Sequence, residues 1–199
     1  ALMTSVIDNP GKVAEYIYSC RQMGIKILPP DINHGYSSFS VDNGSIRYGL
    51  AAIKSIGRPV IKEIVAERKA NGEFKNLKDF IERMSGKDIN KRTIENFIKS
   101  GAFDELGGTR KQFMVIYVQI LDQVNREKKN SMTGQMSLFD IVGEEQKSEF
   151  DIPLPNVGEY EKSTKLAFEK EVLGIYLSGH PMEEYEEQWR KGISKTTQD

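Results

Sequence analysis

The sequence contains very little cysteine and histidine, which excludes several classes of protein. Its 199 residues include one cysteine, Cys20, and two histidines. A single cysteine cannot form an internal disulfide, and so few soft ligands argue against a structural zinc site. We therefore predict no metal site, and we expect the protein to reside in the cytoplasm, where thiols stay reduced.

Long apolar runs are also missing. No stretch approaches the roughly 18 apolar residues that a membrane-spanning helix requires. The chain begins without the basic start and apolar stretch of a signal peptide. Its first residue is not Met and residues 194–199 are mostly polar, so we expect the chain to be a segment of a longer protein. From the missing apolar runs we expect no membrane partner.

The net charge of −1 hides an uneven distribution along the chain. Residues 1–49 are neutral, residues 50–130 hold 17 basic and 11 acidic residues, and residues 131–199 hold 7 basic and 14 acidic residues. A basic middle next to an acidic tail suggests that the middle faces a polyanion. The alternative is that these charges belong to solvated helix faces with no partner.

Turn and cap residues divide the chain into a small N-terminal part of mixed α and β structure, called the front below, and a helical remainder. Asp8-Asn9-Pro10 predicts a helix start, residues 25–28 a strand, and Asp42-Asn43-Gly44 a hairpin turn. From Leu50 onward the apolar spacing becomes helical. The predicted helices cover about residues 50–56, 60–71, 74–84, 94–100, 113–124 and 163–173, with a short one reaching Trp189. The fold class is mainly α with a small α+β N-terminal part.

Two polar stretches are predicted to interrupt the helices. Residues 126–133 break the apolar period, and residues 140–160 are rich in Glu, Pro and Gly without any clear period. We therefore predict a flexible linker over residues 140–160.

The stretch from Leu50 to Ile64 fits a helix-hairpin-helix pattern. Gly57 is expected to let the backbone turn and approach another surface closely, with Ile56 filling the space between the helices. Free amides at the start of the second helix suit a phosphate oxygen, and nearby lysines and arginines add charge. Contacts of this kind hold the DNA backbone and carry little sequence information.

We call this stretch, residues 50–64, the first corner. It departs from the usual motif at two positions. Ser55 stands where a first glycine is common, and serine adopts positive φ poorly, so we expect an altered turn. Pro59 removes one amide donor from the helix start. The alternative reading is an ordinary packing corner between two helices.

A second, looser corner follows at residues 100–111, where Thr109 is expected to cap the next helix. On its own, this second copy would not identify a helix-hairpin-helix motif. The predicted DNA contacts of the two corners are Lys54, Ser55, Ile56, Gly57, Arg58, Lys62, Gly107, Gly108, Thr109, Arg110 and Lys111.

An apolar pentapeptide stands out in the polar region that follows. Its residues are Gln135, Met136, Ser137, Leu138 and Phe139. A Gln, two spacers and a Leu-Phe pair form a peptide anchor, in which the amide binds a pocket rim and the apolar groups fill the pocket. The alternative is that these apolar side chains fold back on their own helices.

Taken together, these segments resemble the alpha subunits of bacterial DNA polymerase III, the C-family replicative polymerases. The resemblance is ordered along nearly the whole chain. It is carried by residues 7–17, 20–33, 46–50, 97–104, 134–139, 169–174 and 177–181.

The resemblance implies a domain order and a function. Residues 1–48 correspond to the end of the fingers domain, 49–130 to a tandem helix-hairpin-helix DNA-binding domain, 131–160 to a linker with the clamp-binding motif, and 161–199 to a helical lead-in to the OB-fold domain. The implied partners are duplex DNA, the sliding clamp (beta subunit) and other subunits of the holoenzyme. The implied catalytic carboxylates and their Mg²⁺ ions lie upstream, so we assign no catalytic residue and no cofactor to this chain.

Two other classes of function remain open at this point. One is a stand-alone helix-hairpin-helix repair protein, against which the lack of a clustered carboxylate, His or Cys constellation argues. The other is a protein-interaction scaffold whose basic middle meets an acidic partner.

Overall fold

The computed structural model describes residues 2–132 and 152–181 of the chain. Its N-terminal part contains α1 (Leu2–Ser5), α2 (Pro10–Gln22) and the short strands β1 (Ile27–Leu28), β2 (Ser40–Asp42) and β3 (Ser45–Arg47). A 3-10 turn, Leu50–Ala52, then leads into α3 (Arg58–Asn71), α4 (Leu77–Met84), α5 (Lys91–Ser100), α6 (Arg110–Met132) and α7 (Lys162–Leu173). The described residues therefore form a mainly helical protein with a small mixed front, as the sequence predicts.

The strands form a single small sheet with the order β1-β3-β2. β2 and β3 pair antiparallel, with Val41 opposite Ile46, and β1 lies parallel to β3 on its other side. The turn between β2 and β3 places Asn43 and Gly44 at positive φ, because a tight hairpin turn requires left-handed residues. The hairpin prediction is confirmed.

Asparagine side chains begin three of the helices. Asn9, Asn76 and Asn90 each accept a hydrogen bond from the amide three residues further on. Such a bond satisfies one of the amides that have no partner within the first turn of a helix. These caps fix where α2, α4 and α5 start.

Aromatic side chains form the centre of the helical part. Phe80 of α4 contacts three other rings edge-on, with centroid distances of 5.0 Å to Phe74, 6.1 Å to Phe97 and 4.9 Å to Phe103. All four side chains are almost completely buried. This cluster joins α4 to α5 and to the turn that precedes α6.

Three predicted boundaries differ from the structure. The first helix of the leading corner is only a 3-10 turn, and α6 continues through the polar residues after 125 to Met132. Residues 152–160, predicted as linker, pack on the start of α6, where the Gln112 side chain donates a hydrogen bond to the Pro155 carbonyl at 2.9 Å. The predicted short helix reaching Trp189 lies outside the described residues. Within 2–132 and 152–181, no helix is long and apolar enough to span a membrane.

Candidate nucleic-acid interface

The first corner keeps a tight turn although it has a serine where a glycine is common. Ser55 adopts φ +63°, in the left-handed region, and the amide of Ile56 donates to the carbonyl of Ile53 at 3.3 Å. Gly57 has φ −71°, an ordinary value for any residue, so the turn does not depend on glycine at this position. The left-handed residue of the turn is therefore Ser55 and not Gly57.

The start of α3 presents backbone donors to solvent. Gly57 and Arg58 are exposed, and in the described part of the chain their amides have no hydrogen-bond partner. The first turn bond of this helix runs from the Ile61 amide to the Gly57 carbonyl at 3.3 Å. A Cβ built on Gly57 would touch only Pro59, at 3.6 Å. The absence of a side chain at Gly57 therefore gives open access to donors that suit an anion.

The side chains around this turn differ in their availability. Ile56 is 7% exposed and belongs to the core, which fits the predicted packing role between the helices; the predicted contact of Ile56 with DNA stays a prediction. Arg58 forms an ion pair of 3.2 Å with Asp8, but both partners are largely exposed, so this pair is weak and easily exchanged. Lys62 is exposed and has no ion-pair partner among the described residues.

Lys54 is tied to the rest of the molecule. Its ammonium donates to the Glu171 carbonyl at 2.7 Å and its amide to the Val172 carbonyl at 2.8 Å. From the other side, the Asn96 side chain donates to the Lys54 carbonyl at 2.8 Å. Hydrogen bonds to α5 and α7 thus hold the corner in place, and the Lys54 side chain is bound to α7 instead of extending freely into solvent.

The second corner forms a well-capped helix start. Thr109 Oγ1 accepts from the Gln112 amide at 3.2 Å, and the Gln112 side chain accepts from the Thr109 amide at 2.9 Å. This reciprocal pair is a capping box, so the predicted cap at Thr109 is confirmed. Gly107 has φ +79°, and a Cβ on Gly108 would come within 2.5 Å of Phe113. Gly107 is therefore favoured by its left-handed backbone, and Gly108 by the close approach of Phe113.

An internal carboxylate occupies the amides of this second corner. Glu159 accepts hydrogen bonds from the amides of Arg110 at 3.3 Å and Lys111 at 3.2 Å. The neighbouring Gly158 carbonyl accepts from Thr109 Oγ1 at 3.3 Å. These amides are the donors that were predicted from the sequence to bind a DNA phosphate. In this structure the chain itself provides the anion that the helix start favours.

The Arg110 side chain points into the protein and not towards solvent. It is 4% exposed, and it forms ion pairs with Asp104 at 2.8 Å and with Glu169 at 3.4 Å. Burial alone would lower the pKa of Arg110, but the two carboxylates outweigh it and leave the pKa raised. Glu169 is itself 1% exposed and also accepts from the amides of Leu177 and Ser178. Arg110 therefore joins the second corner to α7.

A buried turn at residues 31–34, for which the sequence suggested no role, anchors the N-terminal part to the helices. The Asp31 carboxylate accepts from the amides of Asn33 at 2.7 Å and His34 at 2.6 Å, which fixes the turn after Pro29-Pro30. The Asn33 side chain then pairs with both the amide and the carbonyl of Phe74, at 2.8 and 2.9 Å. The polar Asp-Ile-Asn sequence directly after two prolines was the available signal for such a turn.

Two further sequence predictions concern other parts of the chain. In the described residues, no group of three or more His, Cys, Asp or Glu side chains could hold a metal ion. The predicted clamp-binding residues, Gln135, Met136, Ser137, Leu138 and Phe139, lie outside the described residues.

Comparisons with known proteins cover both the corners and the rest of the chain. A profile of the helix-hairpin-helix motif family matches residues 24–113. The chain is 38% identical over 181 residues to the DNA polymerase III subunit alpha of Mycobacterium leprae, which covers 91% of this chain and 15% of that protein. It is also 38% identical to the same subunit of Borreliella burgdorferi and of Escherichia coli K12, in each case over 93% of this chain and 16% of the relative.

The chain spans about one sixth of the length of these relatives. The similarity runs along nearly the whole chain and includes both corners. The chain therefore belongs to the family of bacterial DNA polymerase III alpha subunits.

Proposed function

We propose that this chain is the part of a replicative DNA polymerase that holds duplex DNA without reading its sequence, and that it also docks on the sliding clamp. The proposal extends to the whole protein, which would be a DNA-directed DNA polymerase of the cytoplasm. Its catalytic Mg²⁺ ions would lie outside this chain, and its partners would be the other holoenzyme subunits.

The observation that supports DNA binding most directly is the exposed start of α3. The amides of Gly57 and Arg58, which have no hydrogen-bond partner among the described residues, lie beside two exposed cations, Arg58 and Lys62. Backbone amides at a helix start bind a phosphate oxygen, and mobile cations add attraction that does not depend on base identity. The first corner would therefore be the main contact with the duplex.

The second corner has a different role in this proposal. Glu159 already occupies the amides of Arg110 and Lys111. A phosphate would have to displace that carboxylate and would gain little in exchange. We therefore assign the second corner to holding the domain together, and the first corner to the DNA.

Salt dependence of duplex binding tests this assignment. Each phosphate contact contributes about 0.9 to the slope of log affinity against log salt concentration. Lys62→Gln is expected to reduce the slope by about one, whereas the matched control Lys111→Gln leaves it unchanged. A larger effect of Lys111→Gln than of Lys62→Gln would reverse the roles assigned to the two corners.

A second test uses the open space at Gly57. Gly57→Ala should leave the melting temperature unchanged, because φ is −71° and the new Cβ would meet only Pro59. If DNA phosphates approach this backbone closely, the same methyl group lowers duplex affinity. Unchanged affinity in Gly57→Ala would show that the DNA does not reach these amides.

Clamp docking rests on the pattern of Gln135, Leu138 and Phe139. We expect micromolar binding to the cognate clamp that is lost when Leu138 and Phe139 are both changed to Ala. Ser137→Ala, at a spacer position, is the matched control and should bind normally. Equal binding by the double variant would exclude this anchor while leaving the DNA-binding proposal intact.

A further inference from the structure

A cavity of about 430 Å³ lies on the face of α3, beyond the corner just described. It is open to solvent and lined by Tyr36, Ser37 and Ser38 on one side, and by Ile61, Lys62, Val65, Ala66 and Lys69 of α3 on the other. Its walls are mainly apolar, and within 2–132 and 152–181 no acidic residue lines it.

The aromatic wall of this cavity, Tyr36, is held by contacts to two other parts of the chain. The guanidinium carbon of Arg68 lies 5.0 Å from the centroid of the Tyr36 ring, on one of its faces. Arg68 is 8% exposed and donates to the Ile32 carbonyl at 2.6 Å, so it cannot easily move away. The Tyr36 carbonyl accepts from the Leu50 amide at 2.8 Å. Tyr36 nevertheless remains 46% exposed, which leaves ring surface available to a ligand.

Two lysines stand at the rim of the cavity. Lys62 and Lys69 are both exposed, and neither has an ion-pair partner within the part of the chain that the structure describes. Seven residues of α-helix separate them by about 10 Å along the axis. This spacing places two positive charges on the same face of α3, both at the cavity that Tyr36 lines.

We infer that this cavity binds a nucleotide of single-stranded DNA, with its base against Tyr36 and its flanking phosphates near Lys62 and Lys69. An exposed aromatic ring with cations in the same cavity suits an unpaired base, because every base offers a ring face and every linkage a negative charge. Lys62 also belongs to the duplex-binding corner, so one DNA chain can pass from the corner to the cavity along α3. This role goes beyond the proposed duplex binding.

The test measures binding of the whole 199-residue chain to a labelled oligothymidylate of about twelve nucleotides, within the usual site size of such proteins. A blunt duplex is measured in parallel. Tyr36→Leu keeps an apolar wall but removes the ring, and it is expected to weaken oligothymidylate binding about ten-fold. Duplex binding by this variant should stay within about two-fold of the wild type.

A pair of variants at Ala66 keeps the test independent of Tyr36. Ala66 is an exposed helix position that lines the cavity. Ala66→Glu introduces a negative charge and should weaken oligothymidylate binding, whereas the matched Ala66→Gln should have a much smaller effect. Lys69→Gln should also weaken it, in contrast to the charge-matched control Lys91→Gln on α5.

The possible outcomes separate this inference from the proposed function. Wild-type oligothymidylate binding by both Tyr36→Leu and Ala66→Glu would overturn the cavity assignment. Equal competition by free thymidine monophosphate and by the oligonucleotide would replace the single strand with a free nucleotide as the ligand. If the wild-type chain binds oligothymidylate but does not bind the duplex, the proposed duplex-binding function is overturned and the cavity assignment stands.

Discussion

Replacing Arg110 by Met distinguishes a structural role for this side chain from the DNA contact that sequence analysis predicts. Met has a similar length and suits an apolar environment, so the substitution removes the charge without leaving a large cavity. The change deletes the ion pairs to Asp104 and Glu169 and the hydrogen bond to the Lys99 carbonyl at 3.2 Å. A structural role predicts lower stability with unchanged DNA affinity.

The expected loss follows from what remains around Glu169. This carboxylate is 1% exposed and would keep the amides of Leu177 and Ser178, at 2.8 and 2.9 Å, but lose its counter-charge. Removing one partner of a buried ion pair costs about 3–5 kcal/mol. The two remaining amide bonds favour the lower end, about 3 kcal/mol. For a protein of this size that corresponds to a melting temperature lower by roughly 6–12 °C.

Two measurements on the same samples decide the question. Circular dichroism gives the melting temperature, and fluorescence anisotropy well below that temperature gives duplex affinity and its salt slope. Asp104→Asn is the comparison variant, because Asp104 is 40% exposed and its pair with Arg110 should contribute at most about 1 kcal/mol. An unchanged melting temperature together with a salt slope reduced by about one would refute the reasoning and restore Arg110 as a phosphate contact.

Three other predictions use the turns and charge pairs of the described residues. Ser55→Gly should stabilise the fold by about 0.5–1 kcal/mol in denaturant titrations, because relief of the left-handed serine outweighs the added chain entropy; lower stability would contradict this. Hydrogen bonds led by Lys87 lower the pKa of Glu67 to about 2, so its contribution is complete above pH 4.5 and lost as the pH falls towards 2. The melting temperatures of the wild type and Glu67→Gln should therefore converge over that range, and a constant difference would exclude the linkage. Asn33→Ala should cost about 1–3 kcal/mol and speed hydrogen exchange at the Phe74 amide, and unaltered exchange would argue against the anchor.

Short-range signals allowed the helix starts and the hairpin to be predicted from the sequence. Asn9 before Pro10 and Asn43 before Gly44 act on backbone groups within three residues of themselves. Such patterns carry their own physical cause, since a capping side chain or a left-handed residue works wherever the chain places it. These elements match the structure closely.

The helix boundaries that were wrong lacked such local signals. Leu50, Ile53 and Ile56 recur every three residues, and a 3-10 turn followed by a tight turn buries them as well as an α-helix would. At the other end of the helical part, residues 125–129 are exposed, so α6 continues without an apolar stripe. Apolar periodicity reports burial, and it therefore misses a helix that extends into solvent.

The partners of the second corner could not be found by pattern reading. Glu159 lies 48 and 49 residues from the amides it binds, and Glu169 lies 59 residues from Arg110. A glycine pair, a threonine and two cations at a helix start are the same whether a phosphate or an internal carboxylate satisfies them. Only the three-dimensional arrangement distinguishes these two possibilities.

These contacts change the meaning of the uneven charge along the chain. Residues 50–130 carry a net +6, but part of that charge is neutralised by the acidic tail, since Lys99 pairs with Glu171 at 2.8 Å and Arg110 with Glu169. These paired cations add little to the field that a DNA strand would experience at a distance. Lys62 and Lys69, in contrast, are exposed on α3 without an ion-pair partner among the described residues. Charge removal at Lys62 or Lys69 should therefore weaken DNA binding more than charge removal at Lys99, whose charge is already paired.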